Sequence, residues 1–276
     1  MMTAAFEQPA VVSSEHAAAL LAPLTEVVLR AGAAIVAISR DTPVLHKGDG
    51  SPVTAADLAA DRVIAEGLAA VAPDLPVLSE ESCSGGRPSS GSFFVVDPLD
   101  GTKEYIAGRD EFTVNLALVS DGVPVLGIVG APALGLAWRG VAGHGAERLT
   151  LAADGRSFAA EPIRTRPLPK PGEPWVATVS RSHLDAATVA FIDARPGAVH
   201  ATLGSSLKFC RIAEGEADIY PRLASICEWD IAAGAALVIA AGGKVTDTSG
   251  APLRFDEPRP NFIVPEFIAW GDRSGR

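Results

Sequence analysis

The stretch "VVDPLDGTKEY", Val95 to Tyr105, decides how the rest of the chain is read. Its apolar run closes on two aspartates, Asp97 and Asp100, and Pro98 and Gly101 break the chain before a helix can start. Taken alone, Asp-Pro-Leu-Asp-Gly-Thr reads as a turn with a helix cap as readily as it reads as a site. Its neighbours tip the balance. Asp57 stands in the first turn of a predicted helix, Glu80-Glu81 follows "PVLS", and Asp230 follows Trp229, so carboxylates close several separate apolar runs. Ligands gather at such strand ends and helix starts in α/β folds. No structural need puts a carboxylate at each of them, whereas Mg²⁺ takes oxygen ligands, commonly carboxylates. Two such ions about 3.5–4 Å apart can activate a water and stabilise a leaving oxygen.

Composition narrows the classes. The chain has 276 residues, is 48% hydrophobic and carries a formal charge of -10, which suits one large core or two packed halves and leaves no basic face for a nucleic acid polymer or an anionic membrane. A small anionic substrate remains compatible if metal ions or a local basic cluster reverse the field. Cys83, Cys210 and Cys227 are odd in number, with no CxxC pair, and point to a reducing cytoplasmic setting without disulfides or zinc. The opening "MMTAAFEQP" lacks the basic residues of a secretory signal. The most apolar later stretch, Ile231 to Ala241, is shorter than the roughly 20 residues of a membrane span and reads as a buried helix.

Apolar residues recur at helical spacing from Glu15 to Ser39, and again from Thr54 behind a Thr or Asp cap. "FFVVD" reads as a buried strand, "GGRPSSGS" as a loop, and "FTVNLALVSDGVPVLGIVGAP" as two antiparallel strands joined at Asp121-Gly122. From Gly140 to Glu173 the periodicity is weak and Gly and Pro abound, which makes this the candidate boundary between halves. Further on, "PWVATVSRSH" and "KVTDTSG" predict strands, while "DAATVAFIDA", "SSLKFCRIAEGEAD" and "DIAAGAALVIAAGG" predict helices. Rival chemistries lack their patterns: no GxSxG, no GxxxxGK[ST], and five histidines without metal-ligand spacing. His183 in "SRSH" reads as a structural group or a substrate contact.

"SPVTAAD" (Ser51–Asp57), "SEES" (Ser79–Ser82), "DPLDGTKEY" (Asp97–Tyr105) and "WDIAAG" (Trp229–Gly234), in this order, closely resemble the lithium-sensitive, magnesium-dependent phosphatases of the inositol monophosphatase superfamily. "GSSLKFCRIAEGEADIYPR" (Gly204–Arg222) and the Lys103-Glu104 pair resemble its 3′(2′),5′-bisphosphate nucleotidase branch. The resemblance implies a layered αβαβα sandwich with mixed and antiparallel sheets. It implies an α+β half over residues 1–145 that carries most metal ligands and an α/β half over 146–276 that adds Asp230. It assigns two or three Mg²⁺ to Glu80, Asp97, the Leu99 carbonyl, Asp100 and Asp230. Thr102 and Asp57 match the pair that orients and deprotonates the attacking water, with Glu81 beside them.

Gly101 and Thr102 would offer N–H groups to phosphate, and Lys47 would sit on a mobile loop. Gly204, Ser205 and Ser206 match the segment along the substrate's sugar, and Lys103, Lys208, Arg211 and Arg222 are candidates for its second phosphate, each with an alternative as a solvated cation. The implied reaction is hydrolysis of the 3′-phosphate of adenosine 3′,5′-bisphosphate to AMP. Activity on inositol monophosphate or fructose 1,6-bisphosphate, or a non-catalytic metal- or nucleotide-binding regulator, are the alternatives. The implied partner is this small nucleotide, for a monomer or homodimer in the cytoplasm, with peripheral contact to the inner membrane face left open.

Overall fold

Strands that are apolar on both faces must be covered on both, and this requirement stacks the chain into layers. A computed structural model describes residues 11–48, 50–83, 91–152 and 157–275. The first half contains α1 (Ser14–Val36), an arm made of β1 (Leu45–His46) and β2 (Pro52–Val53), α2 (Ala55–Val71), β3 (Val77–Ser79), β4 (Ser92–Asp100), the short α3 (Thr102–Ile106), β5 (Thr113–Ser120), β6 (Val123–Ala131), β7 (Leu136–Val141), β8 (Gly145–Leu151) and β9 (Phe158–Ile163). The second contains β10 (Val176–Ser180), α4 (Ala186–Asp193), β11 (Val199–Leu203), α5 (Leu207–Ala213), β12 (Ile219–Arg222), α6 (Ala232–Ala240), β13 (Lys244–Asp247) and β14 (Phe267–Trp270).

Strands β3 to β9 form a seven-stranded sheet in chain order, antiparallel except for the parallel β3–β4 pair. The second sheet has the order β11-β10-β12-β14-β13, with β10 parallel to β11 and β12 and β14 antiparallel to its neighbours. Alternation along β4 sends Phe94 and Val96 towards α1 and α2, and Phe93 and Val95 towards the layer of α5 and α6 between the sheets. The inner face of the second sheet closes that layer with Tyr220, Phe267 and Ala269, and its outer face packs Val179, Ile219 and Ile268 against Ile192 of α4. The resulting order is helix, sheet, helix, sheet, helix, as the sandwich expectation holds.

Local signals match the elements they predicted. Thr54 caps α2 in a reciprocal box with Asp57, and Asp121 (φ 50°) and Gly122 (φ 71°) form the two-residue turn between β5 and β6. α1 stops at Val36, short of Ser39, and is apolar and long enough to cross a membrane; its Leu24, Val28, Ala31 and Ile35 are buried in the core it shares with α2 and the first sheet. The loop expected at "GGRPSSGS" falls mostly on residues 84–90, outside the described residues.

The Gly140–Glu173 segment differs from its reading as an irregular boundary. It holds the end of β7 and all of β8 and β9, so the first sheet runs past residue 145 to Ile163. β9 lies at the sheet edge and is exposed along most of its length, which leaves no apolar period to read.

Gly127 lets α6 approach β6 closely. A Cβ there would overlap the Ala233 carbonyl oxygen and come within 2.8 Å of the Ala236 methyl. Gly127→Ala should therefore lower unfolding stability by about 1–3 kcal/mol in urea titration, through displacement of α6.

Candidate active site

The site lies where β4 stops being a regular strand. Pairing with β5 shifts register between Asp97 and Asp100, and Gly101 then takes a left-handed φ of 93° before α3. Asp97 is held by Leu99 N–H, which donates to its Oδ1 at 3.0 Å. Asp230, just ahead of α6, accepts at Oδ2 from Cys227 N–H at 3.0 Å. One carboxylate oxygen from each of Asp97, Asp100 and Asp230 lies within 4.8 Å of the others. The second half thus brings one carboxylate to the two from β4.

Three carboxylates in one buried place repel one another. Burial first, then Glu80, Asp100 and Asp230, push the Asp97 pKa well above the usual carboxylate range; burial and the charges of Asp100 and Glu80 do the same to Asp230. Asp100 is also raised by burial, against the pull of Lys208, Asn115 and Ser206. Among the described residues Asp97 Oδ2 has no hydrogen-bond partner, and it is buried. A hard divalent cation answers both the repulsion and the orphaned oxygen, and the donors present, carboxylates and the Leu99 carbonyl, fit it.

Beside the trio, Thr102 Oγ1 lies 3.0 Å from Asp57 Oδ1 and 3.2 Å from the Leu99 carbonyl. Asp57 Oδ2 accepts from Thr54 N–H at 2.8 Å and from Thr54 Oγ1 at 2.6 Å. The capping box that starts α2 therefore also fixes the carboxylate against Thr102. Lys47 Nζ, on the arm, bridges Glu80 at 2.7 Å and Glu81 at 2.8 Å. Burial opposes its charge, but the two carboxylates outweigh burial and raise its pKa; for Glu81, burial outweighs Lys47 and raises the carboxyl.

A cleft of about 310 Å³ opens over these groups, and its lining includes Gly101, Lys103, Gly204, Ser205, Lys208 and Arg222. His183 also lines it, with Nε2 3.2 Å from Lys103 Nζ; burial, Lys103 and Arg222 lower its pKa. Lys208 is buried, donates to the Ser205 carbonyl, and is pushed down to about 8 by burial. Arg222 donates to the carbonyls of His183 and Ser225, and its Nε is buried without a partner.

Two expected contacts lie elsewhere. Arg211 pairs with Glu214 at 3.1 Å and Glu216 at 2.7 Å and is absent from the cleft wall, because it lies one turn further along α5 than Lys208, beyond the end of the helix that borders the cleft. Ser206 is buried behind the wall, accepting from Asn115 Nδ2 at 2.9 Å and donating to the Asp230 carbonyl at 2.9 Å. It is a brace for the acidic trio. Asn115 escaped the sequence reading, yet its Nδ2 also reaches Asp100 Oδ2 at 3.3 Å, and a lone amide within "TVNLALV" was the available signal.

The raised carboxyls have a consequence for stability. In the metal-free chain they keep protons that unfolded carboxyls, with pKa near 4, have released, so their stabilising effect is full at low pH and lost as pH rises. In EDTA, the melting temperature should rise as pH is lowered from about 7.5 to about 5. Asp97→Asn should flatten that rise and melt above the native chain near pH 7.5, in calorimetry with EDTA. A falling melting temperature in both proteins would show that the trio does not repel.

The chain is similar to known proteins in sequence and in fold. The model of the inositol monophosphatase family matches residues 14–271. The chain is 40% identical over 254 residues to 3′(2′),5′-bisphosphate nucleotidase CysQ of Shigella flexneri, covering 90% of this chain and 98% of the relative, and 39% identical over the same length to that of Escherichia coli K12. Among solved structures it is similar to CysQ from Bacteroides thetaiotaomicron, with TM-score 0.75, 33% identity and coverage of 92% and 97% of the two chains. An inositol monophosphatase from Anabaena is similar with TM-score 0.72, 27% identity and coverage of 93% and 92%. Alike in sequence and in fold along nearly its whole length, the chain belongs to the inositol monophosphatase family.

Proposed function

We propose that the protein is a magnesium-dependent phosphatase that hydrolyses the 3′-phosphate of adenosine 3′,5′-bisphosphate to AMP and phosphate. The observation that carries the reaction class is the acidic trio beside the Thr102–Asp57 hydrogen bond. The substrate follows from the nucleotidase relatives at 39–40% identity, which favour it over inositol monophosphate and fructose 1,6-bisphosphate. A binder without turnover would need the metal ligands but not the Thr102–Asp57 pair. We read its location as cytoplasmic; peripheral membrane attachment finds no support in the relatives.

Two or three Mg²⁺ held by Glu80, Asp97, the Leu99 carbonyl, Asp100 and Asp230 would neutralise phosphate and leaving-oxygen charge and make a water more acidic. Thr102 Oγ1 would take a proton from the attacking water, set in line with the bond to the 3′-oxygen, as its own proton passes to Asp57 Oδ1; the P–O bond to the 3′-oxygen breaks as the new one forms, and the 3′-oxygen takes up a proton from solvent. Glu81 stands beside Glu80 and keeps Lys47 over the site. Gly101 and Thr102 offer backbone N–H groups to the phosphate. On the far wall, Lys103, Lys208 and Arg222 supply positive charge for the second phosphate, with Gly204 and Ser205 along the sugar and Ser206 behind them.

Phosphate release from adenosine 3′,5′-bisphosphate, inositol 1-phosphate and fructose 1,6-bisphosphate, with Mg²⁺, with EDTA and with added Li⁺, tests this reading. The nucleotide should be preferred, its turnover lost in EDTA and reduced by Li⁺. Thr102→Ala and Asp57→Asn should each lower kcat about 10²–10⁴-fold with little change in KM. Near-normal turnover in Asp57→Asn would remove it as proton acceptor.

A further inference from the structure

The segment after α3 belongs to the first half, yet its polar groups bind the second. Glu111 lies between them. Its carboxylate accepts from Arg181 Nε at 3.0 Å and NH2 at 2.8 Å, a two-pronged pair from the end of β10. The same carboxylate accepts from Gly204 N–H at 2.8 Å. Burial would raise the Glu111 pKa, but Arg181 and the Gly204 amide hold it below the usual range.

The backbones meet here as well. A Cβ at Gly204 would stand 2.6 Å from the Glu111 carbonyl oxygen and 2.9 Å from Glu111 Cβ. Next along the chain, Ser205 has a left-handed φ of 44°, a buried hydroxyl without a partner, and a carbonyl that holds Lys208 Nζ. That strained residue lines the cleft, whereas Glu111 and Arg181 stand outside it. Whatever moves Gly204 moves Ser205 and Lys208 with it.

We propose that Glu111 is a positioning residue for substrate selection: by clasping Arg181 and the Gly204 amide together it sets the wall against which the part of the substrate beyond the reacting phosphate is held. This rests on the nucleotide reading above and adds to it the residue that fixes the distal wall. The acidic trio and the Thr102–Asp57 pair are held by other contacts, so loss of the clasp should spare the chemical step.

The test compares the native protein with Glu111→Gln, Glu111→Ala and Arg181→Met. Steady-state kinetics with Mg²⁺ use adenosine 3′,5′-bisphosphate and a small phosphomonoester, p-nitrophenyl phosphate, and hydrogen exchange follows the peptide containing Gly204. Glu111→Ala should raise KM for the nucleotide about tenfold or more with kcat within about threefold, and leave kcat/KM for the small ester within about threefold. Glu111→Gln, which keeps an acceptor for Gly204, should recover part of the loss.

Exchange at Gly204 should speed up at least about tenfold in Glu111→Ala. Equal losses on both esters, or an unchanged nucleotide KM, would overturn the proposal. Should the native protein fail to turn over the nucleotide, the functional reading fails; unchanged exchange at Gly204 in Glu111→Ala would then overturn the clasp itself. If Glu111→Ala does not fold, Arg181→Met carries the same comparison.

Discussion

Asp97, Asp100 and Asp230 bring carboxylate oxygens within 4.8 Å of one another in the wall of the cleft, where like charges repel strongly. Most features of the first half's edge make sense as ways to hold that arrangement. The register shift in β4 turns two nearby carboxylates towards one point, and the left-handed Gly101 reverses the chain so that Thr102 faces the same point. Asn115, Ser206 and the Cys227 amide then donate to the cluster or its supports, each offsetting part of the repulsion without neutralising it. A divalent cation would complete the balance, and the oxygen donors gathered there suit one.

Fold and chemistry are joined through dual-purpose contacts. Asp57 closes the capping box of α2, an ordinary helix start, and by the same carboxylate holds Thr102. Ser206 begins α5 and links β5 to the backbone of Asp230 ahead of α6, tying the first sheet to the helical layer beneath the acidic trio. A packing change in either half is therefore felt in the site, since the interior transmits displacement instead of absorbing it. The close approach of α6 to β6 at Gly127 serves the same end, because α6 carries Asp230 at its start.

Strong local signals survived folding intact. The Thr54 cap, the Asp121-Gly122 turn and the apolar α6 are each specified by a few adjacent residues, and the structure has them where those residues stand. β8 and β9 were not legible because β9, at the sheet edge, is exposed along most of its length and β8 beside it buries only two residues, so neither carries a clear period. Arg211 and Lys208 show the same limit at the site: three residues apart on a short helix, one faces Glu214 and Glu216 and the other the cleft. Sequence spacing places both side chains along one side of a helix but does not say how far along it the cleft reaches.

By itself the sequence determined the residue types that chemistry demands: carboxylates at the ends of apolar runs, a Pro and a Gly that shape the turn between them, and a threonine at the next helix start. Those choices are local, set by backbone sterics and by the oxygen preference of hard cations. Only the tertiary structure decided that Ser206 braces the trio from behind and that Glu111 joins the halves at Gly204. The physical reason is that these contacts span 91 residues from Asn115 to Ser206 and 93 from Glu111 to Gly204, distances over which pairing is fixed by the packing of two sheets on one helical layer and by no local pattern.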